Sequence, residues 1–126
     1  MGNGESSKRP HANLDVWQEA MTLVEAIYAF SSGFPGTERF SLTAQIRRAA
    51  VSVPSNIAEG AARRSTAEYR RFLSIARGSL SELDTQLHIA SRLGYARISP
   101  QISLSIDRVF AQLTALMKAL EERGIA

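Results

Sequence analysis

Apolar and small side chains recur along this chain at alternating intervals of four and three residues, the spacing that lines one face of an α-helix. The first such stretch runs through Val16, Ala20, Leu23, Ile27, Phe30 and Phe34. With Asn13 or Asp15 as N-cap it predicts a helix over about 14–32. Ser31-Ser32-Gly33 and then Pro35-Gly36 form the stop, the glycine accepting a left-handed conformation and the proline unable to continue the ladder. A second stretch begins near Ser41 and carries Leu42, Ile46, Ala49, Val53 and Ile57 on one face. Pro54 falls inside it, removing a backbone donor and crowding the carbonyl four residues back. The expectation is one helix kinked at Pro54, ending between Gly60 and Arg64, with two separate helices as the alternative.

In the third stretch Ser65 stands three positions before Glu68, the spacing of a reciprocal capping box. Tyr69, Leu73, Ala76, Leu80, Leu83, Leu87 and Ala90 then hold a heptad-like stripe, and Gly94 offers the left-handed terminal position. The prediction is a helix over about 66–93 that runs unbroken through Gly78. Ser99 caps a fourth helix with Pro100 at its first position, where a missing donor costs nothing. Ile102, Ile106, Val109, Leu113, Leu116 and Leu120 form its apolar face, and Gly124 is its expected stop. No segment alternates as a strand would. Short loops between such helices predict an all-α fold, an antiparallel up-down four-helix bundle with crossing angles near about 20°. The bundle domain is placed at 14–126, and 1–13 reads as a disordered tail, in part an expression remnant.

A second stripe on the third helix holds only small residues, Ser74, Gly78, Ser81 and Thr85. Glycine in mid-helix costs about 1 kcal/mol relative to alanine, so a close approach is expected to offset it. Tight packing within the chain and a contact between subunits are the two candidate causes.

Composition mainly excludes. The chain has 126 residues, the size of one domain able to bury a core unaided. It has no cysteine and only His11 and His88 as histidines, which removes thiolate chemistry and Cys/His zinc sites. No apolar run approaches the roughly 20 residues of a membrane span, and no secretory signal stands at the start, so a cytoplasmic protein is expected. The opening MGNGES matches the myristoylation pattern through Gly2 and Ser6, a short motif of low specificity. No Ser-His-Asp set, Walker loop or HExxH motif occurs, and Glu59 has no second carboxylate or histidine at ligand spacing. Neither an enzyme, a cofactor nor a metal site is expected.

Charge adds a location. The net charge is only +3, yet residues 39–97 hold ten arginines against four acids, while the remainder is mildly acidic. Thirteen of the fifteen basic residues are arginine, the side chain suited to bidentate phosphate or carboxylate contacts. They come as adjacent pairs, Arg47-Arg48, Arg63-Arg64 and Arg70-Arg71, and neighbours on a helix point about 100° apart. Arg70 and Arg77, seven apart, share a face at roughly 10 Å, with Arg63 or Arg64 as an extension of the row. Such a row suits successive phosphates; the alternative is a solvated face with intersubunit ion pairs to Glu59, Glu68 or Glu82. Asn56 and Glu59 read as structural hydrogen-bonding residues, Glu59 with Arg47 or Arg48 across an interface as a candidate partner. His88 reads as a surface or packing residue. Trp17 and Tyr95 read as core or interface anchors before they read as base-stacking platforms.

The strings LDVWQEA at 14–20, FSLTAQIRRAAVSVPSNIAEGAARRS at 40–65, EYRRFLSIARGSLSEL at 68–83 and LGY at 93–95 resemble the small four-helix bundle proteins encoded in intervening sequences of bacterial large-subunit (23S) ribosomal RNA genes. The resemblance covers about 14–122. It is specific, because a proline lies inside a helix between IRRAA and NIAEG. It implies a barrel-like homopentamer and kinship with the accessory proteins of diversity-generating retroelements, basic pentamers that bind nucleic acid and a reverse transcriptase. Two functional expectations follow. The first is a non-enzymatic oligomer that binds RNA or DNA without sequence preference through Arg47, Arg48, Arg63, Arg64, Arg70, Arg71 and Arg77, with Ser74, Gly78, Ser81 and Thr85 as an oligomer contact. The second is a structural adaptor for a protein partner, a reverse transcriptase or another.

Overall fold

The computed structural model describes residues 9–125. Gly2, Ser6 and most of the expected tail lie outside them. Residues 9–13 form turns, in which Ala12 N–H donates to the Arg9 carbonyl and the Gln18 side chain donates to the carbonyl of Ala12. Four helices follow, α1 Asp15–Ser31, α2 Leu42–Ala61, α3 Thr66–Arg92 and α4 Pro100–Ile125, with one 3-10 turn at Gly36–Glu38. Among the described residues there is no strand.

Each helix packs on two others: α1 on α2, α2 on α3, α3 on α4, and α4 back on α1. On the α2–α3 seam Gly60 abuts Phe72, while Ser52 Oγ lies 2.8 Å from Ser79 Oγ. On the α3–α4 seam Thr66 lies beside Gly124 and Arg70 faces Glu121. On the α1–α4 seam Ser105 Oγ donates to Glu19 at 2.8 Å, and Val16 shares a recess with Leu116. On all three seams residue numbers rise along one helix as they fall along the other.

The four-and-three stripes turn inward. Leu73, Ala76, Leu80, Leu83, Leu87 and Ala90 of α3 are wholly buried against Leu23, Ile27, Ile46, Ile57, Val109 and Leu113 from the other three helices. Apolar side chains spaced this way cover one face of each helix, and only mutual packing removes all four faces from water. α2 passes Pro54, which is buried, as a single helix, so the chain is not divided there.

Helix ends show where local chemistry decided and where it did not. Ser65 Oγ accepts the Glu68 N–H at 3.1 Å, but the Glu68 carboxylate turns to Arg71, leaving half a capping box. Ser99 Oγ accepts from Ile102 N–H at 3.2 Å. Gly94 adopts φ +77°, Tyr95 N–H reaches the Ala90 carbonyl and Gly94 N–H that of Ser91, the paired bonds of a Schellman motif. Three expectations need correction. The N-cap of α1 is Leu14, without a side-chain cap, so neither Asn13 nor Asp15 fills that role. Gly33 is not left-handed: α1 closes on a right-handed Ser32, and Phe34 N–H bonds the Ser31 carbonyl before Pro35 extends the chain. Gly124 lies within α4 and does not stop it.

Candidate nucleic-acid interface

The corner between α2 and α3 is drawn tight by Gly60. A Cβ there would stand 2.9 Å from the Phe72 Cβ and 3.1 Å from both Tyr69 Cδ1 and the Tyr69 carbonyl oxygen, closer than side chains pack. This approach brings Arg63, just past α2, over the α3 side chain Phe72 at 4.7 Å from the ring centroid. Arg71 covers the same ring at 4.5 Å. Each guanidinium is also held by a carboxylate on its own side of the corner, Arg63 by Glu59 at 2.7 Å and Arg71 by Glu68 at 3.0 Å. Ring and carboxylate fix the two planes, and a guanidinium has five N–H donors, so each retains donors for a further anion. Such contacts contribute about 0.5–1 kcal/mol each at exposed sites, enough to orient side chains but little for stability.

The remaining arginines divide. Arg64 and Arg77 are exposed and, among the described residues, pair with no carboxylate. Arg70 leans toward α4, its Nη2 3.9 Å from Glu121 and its Nε buried without a hydrogen-bond partner. Arg48 is exposed on α2 beside a recess it shares with Glu82 and Gln86. Arg47 turns the other way, donating from Nε to Ser31 Oγ at 2.8 Å and stacking 4.6 Å over the Tyr28 ring of α1. The structure thus brings Arg63, Arg64 and Arg71 together at the corner and commits Arg47 to the α1–α2 seam. One residue absent from the sequence reading joins the corner: Arg123 of α4 lines a recess with Arg63 and Arg64. No spacing in the sequence links positions so far apart.

The small-residue stripe is exposed along its whole length, and a Cβ on Gly78 would meet nothing within 4 Å. Packing within the chain therefore does not explain it. Beside it lies a shallow recess of about 400 Å³ between α2 and α3, bordered by Gln45, Glu82, Thr85 and Ile89. Glu59 bonds Arg63, not Arg47 or Arg48, and Asn56 Nδ2 donates to the Ser52 carbonyl at 2.8 Å within α2. His88 sits 3.5 Å from Asp84 on the surface of α3. Trp17 is half-buried against His11. The Tyr95 hydroxyl donates to Glu38 at 2.9 Å. That bond raises the Tyr95 pKa, while Glu38 is held below the usual carboxylate value by the Leu42 N–H and then by Tyr95. Burial raises the Tyr69 pKa, against the opposing charge of Arg123.

Among the described residues no three His, Cys, Asp or Glu side chains gather as a metal site, and no helix is long and apolar enough to cross a membrane. Comparison with known proteins gives one family. Residues 12–118 match the family model described as 23S rRNA-intervening sequence protein. No curated protein matches the chain.

Proposed function

We propose a function for this chain from the premise that it belongs to the 23S rRNA-intervening sequence protein family: it is a non-enzymatic, oligomeric accessory protein that holds RNA or DNA by phosphate contacts, with little regard to sequence. The observation that carries the proposal is the α2–α3 corner, where Arg63 and Arg71 lie oriented on Phe72 and Arg64 stands beside them without a carboxylate. Oriented guanidinium groups meet phosphates bidentately and release counterions, an interaction that carries no base information. Phe40, the most exposed of the large hydrophobic side chains at 87%, lies before α2, at the far end of that helix from the corner; at the corner itself Phe72 is buried under the arginines and Tyr69 is half-buried, so among the described residues no exposed aromatic ring stands there. Repetition around an oligomer, a pentamer by family resemblance, would multiply a charge of +3 per chain into a continuous ring. The exposed stripe through Gly78 is the candidate contact between copies. Binding of labelled RNA and DNA of unrelated sequences at rising salt tests this: comparable affinities that fall steeply with salt support it, and no binding at low salt removes it.

A protein partner is favoured as the alternative by a different surface. Between α1 and α4 runs a groove of about 610 Å³ with Ala26, Ala29, Phe30, Ile102 and Leu104 along it. A groove of that size and apolar lining suits an inserted side chain or helix of another protein.

A further inference from the structure

Where α2 ends, α3 begins and α4 makes its last turns, the chain encloses a recess of about 220 Å³. Its polar lining is Arg63, Arg64, Arg123, Ser65, Thr66 and Tyr69, and among the described residues no carboxylate lines it. Arg63, Arg64 and Arg123 line this one concavity and, among the described residues, only Arg63 is paired with a carboxylate, that of Glu59, so positive charge is in excess there and a bound anion offsets it. A glycine stands at this closure. A Cβ on Gly124 would stand 3.1 Å from Thr66 Oγ1, a tight contact, so the end of α4 lies close on the start of α3, next to Arg123. Tyr69 is half-buried there, and burial keeps its hydroxyl protonated and able to donate.

Size and charge narrow the occupant. Sites for small organic ligands run from about 300 Å³ upward, so this recess is too small for a nucleoside and suits a single tetrahedral group. A phosphodiester carries one negative charge and continues as chain on both sides. A terminal phosphate carries about −1.5 to −2 at neutral pH, presents three oxygens and enters a recess end-on. We propose that this recess binds a terminal phosphate, as the phosphorylated end of a nucleic-acid strand, a mononucleotide or free orthophosphate. The proposal deepens the phosphate-binding function above and rests on it for the strand as source, since Arg63 and Arg64 serve both.

The test compares one RNA sequence bearing a 5′-phosphate with its 5′-hydroxyl twin, using the full chain and its Arg123→Gln variant at fixed salt. The phosphorylated strand should bind about tenfold more tightly, the worth of one or two charge-assisted hydrogen bonds. The ratio of the two affinities should fall to about one in Arg123→Gln, whatever that variant's affinity for the hydroxyl twin, and circular dichroism should show both proteins equally folded. Equal affinity of the two strands for the wild-type chain overturns the recess proposal but leaves phosphate-backbone binding standing. If neither strand binds, thermal protection by orthophosphate or adenosine monophosphate, lost in Arg123→Gln, supports the recess while the nucleic-acid function falls. If these also fail to protect, both are overturned.

Discussion

Arg47 of α2 donates from Nε to the buried Oγ of Ser31, 2.8 Å away at the end of α1, and Nη2 reaches the Tyr28 carbonyl at 3.4 Å. Ser31 Oγ in turn donates back to the Ile27 carbonyl, so the arginine completes a polar cluster that closes the α1–α2 seam. Arg47→Ala should therefore act on stability, at about 1–2 kcal/mol for a charged hydrogen bond and a stacked ring, and leave nucleic-acid affinity nearly unchanged. Urea denaturation beside a binding titration separates the two effects. A large loss of affinity with unchanged stability would return Arg47 to the phosphate surface.

Leu80 and Leu83 are wholly buried at the centre of the α3 stripe. Leu80→Ala or Leu83→Ala should cost about 2–5 kcal/mol, the transfer term plus the cavity left behind. A denaturation midpoint equal to that of wild type would mean that the stripe is not the core.

The core was legible in the sequence because burial on a helix imposes a period, and the α3 stripe from Leu73 to Ala90 keeps it without interruption. The glycines were less legible. Gly33 and Gly94 both follow a helix, but only Gly94 is left-handed, because Pro35 and the 3-10 turn redirect the chain after α1 instead. The arginines divide in the same way. Local spacing put Arg70 and Arg77 on one face with Arg63 or Arg64 as an extension, yet it could not show that Arg63 and Arg71 would share Phe72, that Arg47 would turn to a serine sixteen residues back or that Arg123 would arrive from α4. Those placements are set by how helices meet, which no single helical period records.

Gly78 has open space around it, so Gly78→Leu should leave the folded chain intact and raise helix propensity. If the small-residue stripe joins copies, the same change should lower the assembled mass. Sedimentation of wild type and variant at micromolar concentration checks this, and a monomeric wild type would refute the oligomer.

Glu38 and Tyr95 join the α1–α2 connection to the α3–α4 loop, and their shifted pKa values fix a pH window. Glu38 is lowered from 4.5, so its contribution is present above about pH 4.5 and is lost as pH falls through the lower folded value. Tyr95 is raised from 10.0, so its contribution is present below about pH 10 and is lost as pH climbs through the higher folded value. Tyr95→Phe should lower the melting temperature at pH 7 and make a smaller difference well below pH 4.5. A difference that stays constant down to acid pH would show that the hydroxyl–carboxylate bond is not responsible.

The central claim is phosphate binding by the arginine surface of α3 and its approach. Arg64 and Arg77 test it better than Arg70, because they are exposed and unpaired among the described residues, whereas Arg70 has a buried Nε and faces Glu121. The most direct measurement is the salt dependence of RNA affinity for wild type and for the double variant Arg64→Glu, Arg77→Glu. Wild-type affinity should fall by about 0.7 log units per log unit of salt for each phosphate held, and the variant's slope should be shallower by about one to two such contacts. Affinity should drop alike for every sequence, with the melting temperature unchanged. A double variant that binds as tightly as wild type, with the same salt slope, would contradict the claim.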